Sequence, residues 1–288
     1  MKEQEYKIEN IKTFELADIF DCGQCFRWNK QQDGSYTGVF KGNVMNVQKT
    51  GDTVTFKGIC DGNIEDIVED YFDLNRNYEE IKEKLSKIDN HVKTSIEYGQ
   101  GIRILNQDLW EMIISYIISA NNNIPRIKGI IDRISKNYGK EIEWIGEKYC
   151  TFPTPEELKD VSIEDFRKLG AGLRDVRLYE TVHMVLDKKV NLEQMLNNPN
   201  TSEVREQLLA LSGVGPKVAD CILLFSTLKR FEVFPIDVWV RRVMIDLYIK
   251  KEDETKVNKR ELEKLAQEKF GNLAGIAQKY LFYWKREA

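Results

Sequence analysis

The segment Leu211-Ser212-Gly213-Val214-Gly215-Pro216-Lys217-Val218-Ala219-Asp220-Cys221 constrains this chain more than any other. It predicts a helix, a tight glycine turn and a second helix over about residues 204–226. Gly213 and Gly215 are both free to take positive φ. Pro216 suits the first position of a new helix, where its missing N–H costs nothing. Lys217 then falls in the first turn, at the positive end of the helix dipole. That is a poor place for a structural lysine and a good one for a reactive lysine. The dipole and any burial favour the neutral amine, and only the neutral amine is a nucleophile. Twenty positions on, Pro235-Ile236-Asp237-Val238 sets a carboxylate beside a proline-fixed turn. A glycine-linked helix pair with a surface lysine is the plainer reading of the hairpin by itself. The lysine and the downstream Pro-x-Asp together weigh against it.

The chain has 288 residues, enough for one large domain or two smaller ones. Its 42% hydrophobic and 31% charged content is that of an ordinary globular protein. No apolar run is long enough to span a bilayer, and the first residues lack the apolar stretch of a signal peptide. An intracellular protein, with reduced thiols, is the expectation. The net charge of −4 counts against a nucleic-acid partner only if charge is evenly spread. It is not. Residues 61–90 carry ten acids and four bases, a net of −6. Residues 124–140 carry Arg126, Lys128, Arg133, Lys136 and Lys140 against Asp132, a net of +4. The acidic stretch reads as a solvated face. The basic one is a candidate phosphate-contacting face or simply a solvated helix surface.

Of the five cysteines, Cys22 and Cys25 form a C-x-x-C pair, and Cys60, Cys150 and Cys221 stand apart. With no second pair and with His91 and His183 remote in sequence, a metal or redox role is the weaker reading.

Residues up to about 60 predict a β-meander. Tyr36–Phe40, Val44–Gln48 and Val54–Phe56 are separated by the glycine turns at Gly42 and Gly51. From about residue 62 onward the pattern turns helical and stays helical. Gln107-Asp108 opens a helix that is apolar nearly all round, so it is expected at the centre of the fold. It ends in Asn121-Asn122-Asn123, and the next helix carries Ile124, Ile127, Ile131 and Ile134. Thr154-Pro155-Glu156-Glu157 and Ser162-Ile163-Glu164-Asp165 read as helix starts. The expected fold is α+β: a mainly helical body, residues 91–288, with an N-terminal antiparallel β-sheet subdomain, residues 1–90.

Five separated segments resemble those of the helix-hairpin-helix 8-oxoguanine DNA glycosylases. They are Cys22-Gly23-Gln24-Cys25-Phe26-Arg27-Trp28, Ser119–Ile127 with its three asparagines, Leu169–Arg174, the hairpin with Lys217 and Asp237, and Ala274–Phe282. The resemblance that rests on them covers most of the chain. The resemblance implies a bifunctional glycosylase and lyase that acts on double-stranded DNA. Lys217 would attack C1′ of the damaged nucleotide, and Asp237 would stabilise the charge that builds on the sugar. Gly23 would offer its carbonyl to the N7 hydrogen of 8-oxoguanine. Gln278 would read the Watson–Crick edge, and Phe282 and Cys221 would sandwich the ring. Asn121 would fill the vacated space, Arg126 and Arg174 would hold the orphaned cytosine, and Leu173 would stand at the wedge. Gly213 and Gly215 would face a phosphate.

Each has a plainer reading: Phe282 as core, Asn121 as a helix C-cap, Cys221 as a small buried hydrophobe, Gln278 as a surface residue. Two positions depart from the family pattern. Leu173 stands where an aromatic wedge is common, and Trp239 where a histidine is common. The resemblance further implies no metal, no iron–sulfur cluster, no membrane and a monomer that works with the chromosome, in the cytoplasm or in a nucleus. Two alternatives remain beside it: a monofunctional alkylbase glycosylase, and a non-catalytic module that grips phosphate.

Overall fold

The structure is a computed structural model that describes residues 1–11, 13–249 and 257–287. Strands β1 (Lys2–Ile8), β2 (Trp28–Lys30), β3 (Tyr36–Phe40), β4 (Asn43–Thr50) and β5 (Thr53–Cys60) form one antiparallel sheet. Its order is β1-β5-β4-β3-β2. The glycine turns set the β3–β4–β5 meander as expected. Register is held by packing as well. Trp28 pairs with Gly38 across the ladder, and a Cβ at Gly38 would come within 2.3 Å of the indole. The bare glycine lets the ring lie flat on the sheet.

Two elements here were not anticipated. The first is β1, whose alternating half-buried and exposed side chains pair with β5 from Lys2↔Cys60 to Ile8↔Val54. The second is a short helix, α1 (Leu16–Phe20), which lays Leu16, Ile19 and Phe20 on the sheet. Phe14, Phe20, Trp28, Tyr36, Phe56, Tyr71 and Phe72 fill the space between them.

Three helices lead away: α2 (Ile64–Tyr71), α3 (Tyr78–Ser86) and α4 (Asn90–Tyr98). Asn63, Asn77 and Asp89 cap them in turn, each accepting from a backbone N–H of its first turn. The central helix, α5 (Leu109–Ser119), starts at Asp108 and is buried on every side but its last residue. Its all-round apolar surface is explained by what surrounds it, since it lies inside the second and larger core. Next comes α6 (Ile124–Tyr138), capped by Asn123.

The expectation of unbroken helix after residue 62 is overturned by a hairpin, β6 (Glu141–Trp144) and β7 (Glu147–Cys150). The turn residues Ile145 and Gly146 both have positive φ, 49° and 77°. That suits the mirror-image turn whose twist matches paired strands. Ile142 and Trp144 point inward and pack with Val39 and Val44 of the sheet. The start read at Thr154 is a single 3₁₀ turn, Glu156–Leu158, while Ser162 opens α7 (Ile163–Lys168) with a capping box to Asp165.

The rest of the body is α8 (Asp175–Leu186), α9 (Leu192–Asn197), α10 (Thr201–Leu209), α11 (Pro216–Phe225), α12 (Val238–Met244), α13 (Lys259–Phe270) and α14 (Ala274–Glu287). A π-helical turn, Ile245–Ile249, follows α12. The hairpin of interest joins α10 to α11, and α11 packs directly on α5. Cys22 and Phe26, although they lie among the sheet residues in sequence, belong to the helical core. The loop that carries them is therefore inserted into the helical body.

Candidate active site

The hairpin turn follows α10. Gly213 has φ +82°, and a Cβ there would strike the Arg177 side chain at 2.7 Å. Gly215 differs from expectation. Its φ is −90° with ψ 177°, extended backbone that any residue adopts. What Gly215 contributes is bareness: no atom lies within 4 Å of where its Cβ would be, so a ligand can approach the N-terminus of α11. Behind the turn, Thr181 Oγ1 donates to the Ser212 carbonyl at 3.1 Å. Arg205 holds Asp220 of α11 through two hydrogen bonds, at 2.7 and 3.2 Å.

Lys217 is the second residue of α11 and is half-buried. Its Nζ lies 5.8 Å from the centre of the Tyr116 ring. Cys221, four residues on, shares its helix face and lines the same cavity. The Cys221 sulfur, and after it the Asp237 carboxylate, hold the Lys217 ammonium above its ordinary range, while burial opposes them. Burial also pushes the Cys221 thiol up, so the sulfur's pull grows only as the thiol ionises in alkaline solution. With the thiol protonated, burial and the Asp237 carboxylate act on Lys217 in opposite directions. Asp237 is the N-cap of α12 and accepts from the Val240 N–H at 2.8 Å.

Lys217, Cys221 and Asp237 line one cavity with Gly23, Tyr116, Phe225, Pro235, Gln278, Lys279 and Phe282. Its volume is about 60 Å³, below the few hundred Å³ usual for a ligand site. Larger hollows lie elsewhere, including one of about 660 Å³ beside Asp108, Trp110 and Phe152. Chemistry rather than volume marks the site. Gln278 is 7% exposed and its Oε1 has no hydrogen-bond partner. A buried acceptor left open at a cavity wall is costly unless a ligand donates to it. Half-buried Phe282 is one turn further along the same face of α14.

Gly23 takes φ +83° in a turn whose neighbours are firmly held. Gln24 is fully buried. Its Nε2 donates to the carbonyls of Ile19 and Arg103 at 2.9 and 2.7 Å, and its Oε1 accepts from Leu105 N–H at 3.0 Å. Gln107 Nε2 donates to the carbonyls of Gln24 and Phe225, each at 2.9 Å, and so ties this turn to the end of α11. Sequence reasoning passed over Gln24 and Gln107, and Lys279 as well. Cys22 and Cys25 are buried free thiols that donate to backbone carbonyls of α1. Among the described residues no group of three or more His, Cys, Asp or Glu is arranged to hold a metal.

A second cluster stands apart on the surface. Asn121 has φ +51° and is exposed at the tip after α5. Leu173, on the 3₁₀ turn Gly172–Arg174, is 93% exposed. Arg174 spends its donors on backbone, reaching the Ala120 carbonyl through Nε at 3.1 Å and the Asn121 carbonyl through Nη2 at 2.9 Å. Arg126 is exposed and, among the described residues, its side chain reaches only the Gly170 carbonyl, at 3.5 Å. The basic face expected on α6 is largely committed to structure. Lys128 Nζ donates to the Trp28 carbonyl at 2.6 Å, Arg133 Nε to the Leu169 carbonyl at 2.8 Å, and Lys136 pairs with Asp132 at 2.8 Å.

A family model described as the N-terminal domain of 8-oxoguanine DNA glycosylase matches residues 7–113. A second, described as HhH-GPD superfamily base excision DNA repair protein, matches residues 114–269. The chain belongs to the 8-oxoguanine DNA glycosylase family of the HhH-GPD superfamily. The 8-oxoguanine glycosylase/lyase of Clostridium acetobutylicum in its apo-form is 43% identical, with a TM-score of 0.91 over 98% of each chain. The same enzyme in complex with double-stranded DNA containing cytosine opposite 8-oxoguanine gives a TM-score of 0.92 over 100% of this chain and 98% of that one. The N-glycosylase/DNA lyase OGG1 of Arabidopsis thaliana is 31% identical over 279 residues, 93% of this chain and 76% of the relative. Among the described residues no helix is long and apolar enough to cross a membrane.

Proposed function

We propose that this chain removes 8-oxoguanine from double-stranded DNA and then cleaves the strand at the abasic sugar, with Lys217 as the nucleophile. One observation carries the reading: Lys217 shares a cavity with an unpartnered acceptor, Gln278 Oε1. A base taken out of the stack would enter that cavity by displacing half-buried Phe282. The N1–H and N2–H groups of 8-oxoguanine are donors that suit Gln278 Oε1. The Gly23 carbonyl would accept from N7–H, which guanine lacks. Guanine offers a lone pair there, and two facing acceptors repel. Cys221 and Phe282 would close on the two faces of the ring.

The Lys217 ammonium must first lose its proton. Asp237 is the adjacent carboxylate, and the entering nucleotide deepens burial, which favours the amine. The amine then attacks C1′, the bond from C1′ to the base breaks, and its electron pair leaves with the base. Opening of the sugar ring gives the Schiff base, and loss of a C2′ proton expels the 3′-phosphate. Asp237 would stabilise the cationic sugar during departure. Gly213 and Gly215 would hold a backbone phosphate at the α11 N-terminus. Asn121 would occupy the vacated space, with Arg126, Arg174 and Leu173 around the cytosine. In this scheme residues 1–90 present the Gly23 wall and residues 91–288 carry the chemistry. Every group invoked is a side chain or backbone atom of the chain, without metal or iron–sulfur cluster.

The test is a strand-cleavage assay on duplexes with 8-oxoguanine, guanine or a preformed abasic site opposite cytosine. The reading expects cleavage of the first and third. Base release without cleavage would favour a monofunctional enzyme, and binding with neither a phosphate-gripping module.

A further inference from the structure

Lys279 is 2% exposed, yet it follows Gln278 directly and lines the same cavity. Among the described residues no carboxylate lies in salt-bridge contact with it. Burial pulls its ammonium below the ordinary lysine range. Its Nζ donates to the Cys22 carbonyl and lies 5.0 Å from the centre of the Phe225 ring and 5.7 Å from that of Phe282. A lysine buried without a counter-ion is expensive. This one makes its polar contact at the carbonyl that immediately precedes Gly23.

A second grip comes from the same helix. Seven residues on, two helical turns along the same side of α14, Arg286 Nη2 donates to the Asp21 carbonyl at 2.7 Å. A Cβ at Gly23 would meet Arg286 Nη1 at 3.1 Å. The turn Asp21–Gly23 is therefore held at two successive carbonyls by α14, which also presents Gln278 and Phe282. The direction of the Cys22 carbonyl fixes the plane of the Cys22–Gly23 peptide. With Gly23 at φ +83°, that plane sets where the Gly23 carbonyl carbon lies, and the buried, hydrogen-bonded Gln24 that follows restricts the remaining rotation of its oxygen.

We infer that Lys279 is a positioning residue for base discrimination: its buried amine locks the Cys22–Gly23 peptide so that the Gly23 carbonyl meets the N7–H of 8-oxoguanine. The inference rests on the reading that the extruded base lodges against Gly23. Because an amine donates in either protonation state, the anchor holds across the working pH range. An abasic nucleotide puts no base against Gly23, so the anchor acts on excision and selectivity and far less on strand cleavage at a preformed abasic site.

The experiment uses Lys279→Met, which keeps length and apolar stem but removes the donor, and Lys279→Gln, which retains a donor. Single-turnover excision and binding are measured on duplexes with 8-oxoguanine or guanine opposite cytosine, beside cleavage of a preformed abasic duplex. Loss of one positioned hydrogen bond corresponds to about a tenfold effect. Lys279→Met is expected to lower excision about tenfold and to narrow the preference for 8-oxoguanine over guanine by a similar factor. Abasic cleavage is expected to hold within about threefold, and Lys279→Gln to recover part of the preference. Equal loss of excision and abasic cleavage, or an unchanged preference, would overturn the assignment. If Lys279→Met does not fold, Lys279→Leu, which also lacks a donor, makes the same comparison. If wild type cleaves abasic DNA yet does not favour 8-oxoguanine, the Gly23 reading itself fails, and that outcome is separable from failure at Lys279.

Discussion

Around the proposed base cavity, Cys221, Gln278 and Lys279 are buried and Lys217 is half-buried, while on the proposed wedge face Asn121, Arg126 and Leu173 stand in solvent. The cavity walls come from segments remote in sequence, joined by Gln24, Gln107 and Lys279 through bonds to backbone carbonyls. The wedge face is braced mainly by Arg174 on the carbonyls of the asparagine turn. Under the proposed function, the difference teaches where each kind of selectivity would reside. A buried, prearranged wall acts at low dielectric on charge and hydrogen-bond pattern, so its changes are large. An exposed side chain acts only when DNA covers it, so its changes are modest.

The sharpest way to strain this comparison is Asp237→Asn. Asparagine is as good an N-cap as aspartate, so α12 should keep its start and the fold its stability. Removing the charge beside Lys217 should still lower base excision by on the order of 100-fold or more, with lesion binding retained. Near-normal excision by this variant would make Asp237 only a cap.

On the exposed side the expected effect is smaller. An aromatic stacked on a base is worth about 1–3 kcal/mol, and Leu173 has no π face. Excision rates with C, T, G and A opposite the lesion should spread more widely in Leu173→Tyr than in wild type. An unchanged spread would remove position 173 from the account.

A further effect concerns stability alone and sits on α5. Burial pushes the Glu111 carboxyl up to about 7, although Arg27 lies 3.8 Å away and pulls it down. A raised carboxyl pKa means the folded state holds the proton more tightly than the unfolded chain. The resulting stability is full below about 4.5 and is lost as pH rises through about 7. The slope is at most about 1.4 kcal/mol per pH unit for one proton. Denaturation curves between pH 5 and pH 8 should show it in wild type and lose it in Glu111→Gln. Equal slopes would show that Glu111 ionises freely.

Much of this was legible in the chain because the signals are local. Asp108, Asn123 and Ser162 open their helices where capping chemistry puts them, and Gly213 takes the positive φ its turn needs. Glu141–Trp144 alternates like a strand, but four residues beside long helical periodicities were too short to stand out. Lys217 was legible only in part. Its helix position and its neighbour Cys221 are local, while the Asp237 carboxylate comes from packing. Lys279 was illegible for the same reason: its partner, the Cys22 carbonyl, lies 257 positions away.

The central claim is that Lys217 bonds covalently to the lesion sugar, and borohydride trapping tests it most directly. Wild type incubated with 8-oxoguanine duplex and borohydride should yield a stable protein–DNA adduct, and Lys217→Gln should yield none. An adduct of equal yield from Lys217→Gln would contradict the account and move the nucleophile to another amine.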